Sequence, residues 1–413
     1  MIFTINAGDG VEAMILPCSI TESAPLLNES FETKVAINDF DPLKDEQWNV
    51  PPDRLQVGER IGAGGCGWIY KGTIGGSAAA VPIACKEVVS ATINPKDLLE
   101  FEHEARMMSQ LHHPFVLTFY GICKKTVTEY NGELGQRLYM VTELATGGSL
   151  ESRIEAVCAS RDNVKVSHIS YAAKKQNRED TETVTISGLQ SVEWALQIAA
   201  GMSHIHERGF IHRDLKPQNI LLNSKDQCLI CDFGTVKKIK KSRWSGSKEM
   251  PIVPPVAIAG ATIGMTQEIG TPMYLAPEQG LRKEYTSAVD VWSFGVTLVR
   301  LFSLKYPYPS SLFAHKLIMA VAMGGLRPLE IPIKDLPHPD VYEIIEGCLQ
   351  YNASERYTFP ILEMKLSKIY NSMVAKEKSD SNICLPDGET KNEEMKTKYT
   401  ALDGTVFTLP SVK

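Results

Sequence analysis

The first third of the chain carries short apolar runs that predict a strand-rich region. Over residues 55–88 these runs lie around glycines, which is typical of β-strands joined by turns. Residues 97–112 instead repeat apolar side chains at helical spacing, and an apolar strand is predicted at 138–143. The glycine-containing stretch 145–148 then breaks the pattern. We therefore expect strands with a single prominent helix before this break.

After the break, the apolar pattern becomes mostly helical. The strongest helical periodicity lies at 192–206 and 289–302. The second of these segments is apolar nearly all round, which indicates a helix buried in a core rather than one lying on a surface. The order of strands followed by helices predicts an α+β architecture with two parts.

Polar stretches suggest where the folded region begins, is interrupted and ends. Residues 1–52 end in two prolines and are predicted to be an N-terminal extension of unknown role. Residues 163–190 include a charged run poor in apolar side chains, which predicts a flexible insert. Residues 371–413 are rich in Lys, Glu, Asp and Asn and are expected to form a mostly disordered tail. This leaves 53–370 as the folded domain.

Composition narrows the class of protein. A chain of 413 residues is too long for one compact core. Its net charge of −6 argues against a nucleic-acid partner, because phosphate binding requires an excess of Lys and Arg. We expect no membrane span, since no apolar run approaches about 18 residues. Nine cysteines without framework spacing fit reduced thiols, so we expect a cytoplasmic protein, with the nucleus as the alternative.

A glycine motif stands in the strand-rich region. Residues 62–67 read G-x-G-x-x-G, a spacing that dinucleotide-binding folds also use. Here a strand-like run, Trp68 to Lys71, follows the glycines, whereas a dinucleotide-binding fold continues with a helix. We therefore expect a strand–turn–strand loop whose backbone N–H groups can approach phosphate oxygens.

A charged pair is predicted next to this loop. Lys86 ends an apolar strand, and a lone lysine there is more often a solvated charge. On the following helix, Phe101, Glu104 and Met108 share one face, so Glu104 points inward with the apolar stripe. A buried carboxylate is costly without a partner, and Lys86 can supply one.

The most specific motif lies at residues 212–219, which read HRDLKPQN. It is followed by Asp232-Phe233-Gly234 and later by Ala276-Pro277-Glu278. With these motifs in order over about 55–370, the chain resembles the eukaryotic protein kinase family. The resemblance implies a bilobal kinase fold, with a small β-rich N-lobe at about 55–143 and a larger, mainly helical C-lobe at about 146–370.

The resemblance also implies roles for individual residues. Asp214 would accept the proton of the substrate hydroxyl and Lys216 would neutralise the transferring phosphoryl group, while Asn219 and Asp232 would ligate Mg²⁺. Lys86, held by Glu104, would reach the α- and β-phosphates of ATP. The remaining nucleotide-binding positions implied by the family are Ile61, Gly62, Gly64, Gly67, Ile69, Ala84, the gatekeeper Thr142, the hinge residues Glu143 and Ala145, and Leu221.

Further positions match the family in a supporting role. Asp290 would anchor the catalytic-loop backbone, Glu278 would pair with Arg356, and Thr271 would bond to Asp214 and Lys216. An apolar stack linking the lobes would contain Met108, Phe119, His212 and Phe233.

The acceptor is predicted to be a serine or threonine of a protein substrate. Lys216 and the Gly270–Leu275 stretch resemble serine/threonine kinases, while the stretches 138–143 and 290–296 resemble the tyrosine-kinase-like branch. The nearest alternatives are dual specificity or tyrosine specificity. A scaffold pseudokinase is disfavoured, because Lys86, Asp214, Asn219 and Asp232 are all present.

The segment between Asp232 and Glu278 is longer than is usual in the family. It contains Thr262 and Thr266, and Arg213 is the residue that meets an activation-loop phosphate in related kinases. We expect Thr266, with Thr262 second, to be phosphorylated by an upstream kinase or by autophosphorylation. The alternative is a loop that is ordered without phosphate.

Two cysteine features have simpler interpretations. Cys228 and Cys231 form a C-x-x-C, but they lie on the strand leading into Asp232 and have no matching second pair, so we expect buried structural thiols. Cys66 lies in the glycine loop, where oxidation could block ATP; this remains a minority hypothesis.

Overall fold

A computed structural model describes residues 46–64, 67–75, 80–89, 95–128, 134–161, 184–238, 271–281, 283–382, 398–400 and 406–408. In these ranges the chain forms a small strand-rich lobe followed by a larger helical lobe, as the sequence predicts.

The small lobe contains a five-stranded antiparallel sheet and one helix. The strand order is β1-β2-β3-β5-β4, so β1 and β4 are the edge strands. The elements are β1 (Leu55–Gly64), β2 (Gly67–Ile74), β3 (Val81–Val89), α1 (Pro95–Met108), β4 (Phe119–Thr128) and β5 (Leu134–Glu143).

The large lobe is mainly helical, with short strands beside the small lobe. Its helices are α2 (Leu150–Arg161), α3 (Gly188–Glu207), α4 (Pro277–Gly280), α5 (Ala288–Ser303), α6 (Ala314–Ala322), α7 (Val341–Cys348) and α8 (Phe359–Asn382). Its short strands are β6 (Phe210–Ile211), β7 (Ile220–Leu222), β8 (Cys228–Ile230) and β9 (Lys237–Lys238), followed late in the chain by a hairpin of β10 (Lys398–Thr400) and β11 (Val406–Thr408).

The two faces of the five-stranded sheet pack differently. On β3, Ile83 and Cys85 are fully buried in a small cluster with Val141 of β5. Successive side chains on a strand point to opposite faces, so Ala84 and Lys86 point away from this cluster. The larger core joins α1, β4 and the helical lobe, and α5 is buried along almost its whole length, as its apolar sequence predicts.

Residues before the predicted domain boundary at 52 contribute to the small lobe. The ring of Trp48 lies 5.2 Å from that of Phe119, and the Val50 N–H donates to the carbonyl of Ile122 at 2.9 Å. Gly121 has a φ of +140°, and a Cβ there would collide with the Trp48 carbonyl oxygen. The extension therefore ends earlier than predicted, because apolar contacts with β4 hold its last residues.

Two other predicted boundaries also shift. Helix α3 begins at Gly188, capped by the side chain of Ser187, so the last residues predicted for the insert are helical. Helix α8 continues to Asn382, beyond the predicted start of the tail at 371. Buried residues such as Leu366 anchor the first turns of α8, and Met373 still packs against the larger core. The Ala, Lys and Glu residues at 375–378 are good helix formers, so the helix continues past its last core contact.

The described helices include none that is both long and apolar enough to cross a membrane.

One histidine in the link between α1 and β4 makes stability depend on pH. The His113 ring stacks on that of His204 at 5.1 Å, and burial, together with the charge of His204, lowers the pKa of His113 from 6.5 to about 3. In the unfolded chain this side chain takes up a proton near its ordinary pKa, whereas the folded protein resists protonation down to about pH 3. Its contribution to stability is therefore complete above about pH 6.5 and is lost as the pH falls towards 3.

We predict that the substitution His113→Asn flattens the acid limb of the stability profile. An asparagine oxygen can still accept the Phe115 N–H that His113 Nδ1 accepts now, but it does not titrate. Urea unfolding between pH 7 and pH 4.5 measures the effect. The free energy of unfolding should fall more steeply in the wild type, by at most about 1.4 kcal/mol per pH unit for one proton. Equal slopes would contradict this explanation.

Candidate active site

The ion pair predicted between β3 and α1 is present. Lys86 Nζ lies 2.6 Å from Glu104 Oε2, and the two side chains are only 12% and 9% exposed. Because each charge is largely removed from water, each needs the other to offset its desolvation. The pair therefore fixes α1 against the sheet and holds the ammonium group on the side of the sheet that faces the large lobe.

A second contact of α1, which the sequence did not predict, reaches the segment after Asp232. His103 Nε2 lies 2.8 Å from the carbonyl oxygen of Val236. The two residues are 133 positions apart, so no local sequence signal marks the contact. It attaches the helix that carries Glu104 to the chain just beyond Asp232.

Asp214, Lys216 and Asn219 converge in the loop before β7. Lys216 Nζ lies 2.8 Å from Asp214 Oδ2. Asn219 Nδ2 donates to the backbone oxygen of Asp214 at 2.8 Å and to its Oδ2 at 2.9 Å. All three residues are buried, with Asn219 fully enclosed. Two donors therefore orient the Asp214 carboxylate, as expected of a group that must meet a substrate in one geometry.

Asp290 anchors this loop from α5, as predicted. Its carboxylate accepts the backbone N–H of His212 at 2.8 Å and that of Arg213 at 2.7 Å. His206 Nε2 also donates to it at 2.8 Å, a partner that the sequence analysis missed. Burial alone would raise the pKa of Asp290, but the bond and charge of His206 and the Arg213 N–H outweigh burial and lower the pKa below its ordinary value.

Two residues of the site have a left-handed backbone. Arg213 has a φ of 69° and Asp232 a φ of 64°. This region is unfavourable for side chains other than glycine, and it persists only where surrounding contacts impose it. Asp290 supplies such contacts at Arg213. Beside Asp232, His212 Nε2 donates to the carbonyl oxygen of Cys231 at 3.0 Å.

The apolar stack predicted between the lobes is assembled. The rings of His212 and Phe233 meet edge to face at 5.5 Å. Phe233 lies in the larger core with Met108 and Phe119, and all three are buried. This stack places the segment of Asp232 directly beneath α1.

The donor set at Asn219 and Asp232 fits a hard divalent cation. Asn219 Oδ1 is buried and has no hydrogen-bond partner in the described part of the structure. The opposite end of the same amide is committed to Asp214, so the free end is an oxygen. The carboxylate of Asp232 supplies the other ligand type that Mg²⁺ prefers.

The residues predicted to bind nucleotide lie in the β1–β2 hairpin, on β3 and β5, in the link after β5, and on β7. Gly62 pairs with Ile69, and Gly64 with Gly67, in the hairpin of β1 and β2. Gly65 and Cys66 lie outside the described residues. Elsewhere, Ala84 pairs with Thr142 across β3 and β5, and Leu221 lies on β7. The other predicted members are Ile61 at the end of β1, Glu143 at the end of β5, and Ala145 in the link that follows.

Glu143 and Thr142 are both enclosed at the end of β5. Glu143 Oε1 accepts the Thr118 N–H at 2.7 Å. Burial raises the pKa of this carboxyl, and the bond from Thr118 offsets part of the effect. Thr142 is 8% exposed. The link between the lobes is therefore held by side-chain contacts as well as by the backbone.

Other predictions for the large lobe can also be compared with the structure. Arg356 forms a two-bond ion pair with Glu278, at 2.7 and 2.8 Å, as predicted. Cys228 and Cys231 are buried, and burial raises the pKa of both thiols, so they are structural as expected. The side chain of Thr271 lies outside the described residues, and so do Thr262 and Thr266.

Sequence reasoning missed a polar network on the outer face of the sheet. Glu87 is 1% exposed, and its carboxylate accepts Arg137 Nη1 at 2.7 Å, the Tyr70 hydroxyl at 3.0 Å and the Tyr139 hydroxyl at 3.1 Å. Because successive side chains of a strand point to opposite faces, the sequence could have placed Glu87 on the other face of the sheet from Lys86. Its partners lie on β2 and β5, and their pairing register cannot be read from one sequence.

These features fit a two-lobed kinase: a lysine–glutamate pair lies in the small lobe, and the large lobe has an anchored aspartate loop and two side chains, Asn219 and Asp232, whose oxygens could hold a metal ion. A family model described as "Protein kinase domain" matches residues 55–367. The chain belongs to the protein kinase family.

Curated relatives include kinases of both acceptor classes. The chain is 28% identical over 331 residues to "Tyrosine-protein kinase SRK3" of Spongilla lacustris, covering 79% of this chain and 80% of that protein. It is 27% identical over 380 residues to "Mitogen-activated protein kinase kinase kinase zak-1" of Caenorhabditis elegans, covering 90% of this chain and 42% of that protein. It is 26% identical over 360 residues to "Serine/threonine-protein kinase STY46" of Arabidopsis thaliana, covering 87% and 49%.

Family membership establishes an ATP-binding transferase domain that acts on proteins and uses a divalent metal ion. The chain spans less than half the length of the zak-1 and STY46 proteins.

We predict that Glu104→Gln lowers kcat/KM for ATP roughly tenfold or more, equivalent to about 1.4 kcal/mol or more of transition-state stabilisation. The amide keeps the shape of the side chain but removes the negative charge that Glu104 places beside the buried Lys86 ammonium. Steady-state phosphorylation at varied ATP concentration measures the effect.

The matched control is Glu102→Gln, two residues earlier and on the other side of α1. It removes the same charge from the same helix without touching Lys86. Comparable losses in both variants would show that the charge of the helix, and not the pair, matters.

Proposed function

We propose that the protein is a serine/threonine kinase that transfers the γ-phosphoryl group of ATP to hydroxyl groups of a protein substrate, in a signalling role. The observation that carries the proposal is the buried contact of Lys216 Nζ with Asp214 Oδ2 at 2.8 Å. It puts a cation beside the carboxylate that would receive the acceptor hydroxyl, and a lysine at this position resembles serine/threonine members of the family.

In this proposal the reaction is a direct displacement. The acceptor oxygen attacks the γ-phosphorus, the bond to the β–γ bridging oxygen breaks, the hydroxyl proton passes to Asp214, and ADP leaves. Lys216 stabilises the negative charge on the transferring group, and Lys86 holds the α- and β-phosphates. Catalysis of this reaction depends mainly on positioning the reactants and on electrostatic stabilisation of the transition state. This fits a site whose charged side chains are held by an anchored backbone.

Asn219 and Asp232 are proposed to hold Mg²⁺. When bound, the ion would neutralise negative charge on the phosphates. The support from the chain itself is the buried Asn219 Oδ1, which has no partner among the described residues, and the left-handed backbone that holds Asp232 in place.

The nucleotide is proposed to lie between the glycine hairpin and β7. Ile69, Ala84 and Leu221 would enclose the adenine ring, the backbone at Glu143 and Ala145 would meet its polar edge, and Thr142 would be the gatekeeper. Ile61, Gly62, Gly64 and Gly67 would cover the phosphates.

The main alternative to serine/threonine specificity is specificity for tyrosine, alone or together with serine and threonine. Tyrosine kinases stand among the relatives, at identities that do not separate the two classes. Dual or tyrosine specificity is therefore the second candidate function, and a pseudokinase that only binds is the third.

We expect Ser- and Thr-containing peptides, and not Tyr-containing ones, to be phosphorylated. The assay offers the full chain Mg-ATP and matched peptide libraries in which the only hydroxyl is Ser, Thr or Tyr. Asp232→Asn, which removes a proposed metal ligand, gives the background. Transfer to Tyr peptides at a comparable rate would replace the proposal with dual specificity, and no transfer above background would leave a scaffold.

Control of the site is proposed to involve phosphorylation of Thr266, or of Thr262, by an upstream kinase or by the protein itself. Arg213 is the proposed phosphate partner. Its Nε donates to the Thr235 carbonyl and its Nη1 to the Tyr285 hydroxyl, contacts that use two of five guanidinium N–H groups. A phosphate adds nearly two negative charges, enough to bind such a group.

We predict that mass spectrometry of active protein finds phosphate on Thr266 or Thr262, and that Thr266→Ala with Thr262→Ala lowers activity severalfold. Thr126→Ala, at an exposed position of β4 in the small lobe, is the control for loss of a threonine. Full activity of protein unmodified at both positions would end the hypothesis.

The cellular location proposed is the cytoplasm, with the nucleus as the alternative. Reduced, scattered cysteines support it, including the buried Cys85, Cys123 and Cys348.

A further inference from the structure

The two strands that carry the glycine hairpin are not held equally. Strand β2 lies inside the sheet, between β1 and β3, whereas β1 is an edge strand that pairs with β2 alone among the strands that the structure describes. At its loop end β2 lies so close to β3 that a Cβ on Gly67 would collide with the carbonyl oxygen of Glu87. The stem on the β2 side is therefore fixed by the body of the sheet.

The stem on the β1 side is less regular. The register of β1 against β2 shifts twice, between Val57 and Arg60 and again between Arg60 and Gly62. Irregularities of this kind interrupt the hydrogen-bond ladder and bend the strand. Gly62 and Gly64 pair with β2 again beyond the second shift, and glycine adds backbone freedom there. The paired glycines are therefore joined to the rest of β1 through an irregular stretch centred on Arg60.

A side-chain contact bridges the two stems at this point. The guanidinium carbon of Arg60 lies 4.1 Å from the centre of the Trp68 ring. Arg60 is in β1 between the two register shifts, and Trp68 is in β2, immediately after Gly67. Trp68 is 40% exposed, so the contact is a surface stack and not part of either core.

We propose that Arg60 and Trp68 act as a clasp that positions the glycine hairpin for ATP. The stack ties the irregular stretch of β1 around Arg60 to the fixed stem of β2 and so restricts the positions that the glycine backbone beyond it can take. A cation over an indole face is the strongest of the cation–aromatic pairs, and at a surface site it is worth a modest but measurable amount. Both are positioning residues, since neither is placed against the nucleotide. This inference rests on the proposed function only where it is tested by the phosphorylation assay, and the ATP-binding measurement is independent of the acceptor.

A double-mutant cycle tests the clasp. Arg60→Gln removes the cation, Trp68→Leu removes the ring, and the third variant carries both changes. Direct binding of Mg-ATP, by displacement of a fluorescent ATP analogue, should weaken about two- to fivefold in each single variant. The double variant should be no weaker than the singles, because the two changes remove one interaction. Trp68→Phe should recover part of the loss, since a phenyl face also binds a cation.

A matched control uses a second cation–aromatic pair. Lys365 lies 5.1 Å from the ring centre of Tyr357 in the large lobe, and Lys365→Gln should leave ATP affinity unchanged. In the phosphorylation assay the clasp variants should raise KM for ATP and leave kcat and KM for the peptide near the wild-type values. A general loss of stability would not produce this separation.

The outcomes separate the two proposals. Additive effects in the cycle, or unchanged affinity in the single variants, would overturn the clasp even if phosphate transfer is normal. A coupled cycle in ATP binding would support it even if no peptide acceptor is phosphorylated, in which case only the proposed function fails.

Discussion

The catalytic loop depends on one buried carboxylate. Asp290 lies in a helix that is apolar on nearly every side, where an ionised group is tolerated only if hydrogen bonds replace its water. The backbone N–H groups of His212 and Arg213 provide those bonds, and in return the carboxylate fixes the loop that carries Asp214. It also stabilises the left-handed backbone of Arg213. Because the buried charge of Asp290 would be costly without these bonds, the loop must stay where its N–H groups reach the carboxylate.

Buried polar contacts also connect the two lobes. Lys86 and Glu104 are each largely enclosed, and the ion pair between them holds α1 against the sheet. From α1, His103 reaches the Val236 carbonyl, and His212 reaches the Cys231 carbonyl from below. The segment around Asp232 is therefore held from both lobes by side-chain hydrogen bonds to its backbone carbonyls.

Physical rules applied to the sequence predicted some of these features well. Helical spacing together with the cost of a buried charge was enough to pair Glu104 with Lys86, and the family motifs placed Asp290 and Arg356. The rules failed where partners come from distant strands, as for Glu87 and His206. They also misplaced boundaries: Trp48 belongs to the small lobe through contact with Phe119, and α8 continues past 371 because Met373 packs against the larger core and good helix formers follow it. The contacts behind these features join distant parts of the chain, which local periodicity does not show.

Two neighbouring residues after Asp232 receive contacts from both lobes. The Thr235 carbonyl accepts a bond from Arg213 of the large lobe, and the Thr235 hydroxyl donates to the His212 carbonyl at 2.9 Å. The next residue, Val236, accepts the bond from His103 of α1. The chain continues from here towards Thr262 and Thr266. A change in its path would act on both neighbours at once, and so on the helix of Glu104 and the loop of Asp214 together. A single change in this segment could therefore affect the residues of the site in the small lobe and those in the large lobe at the same time.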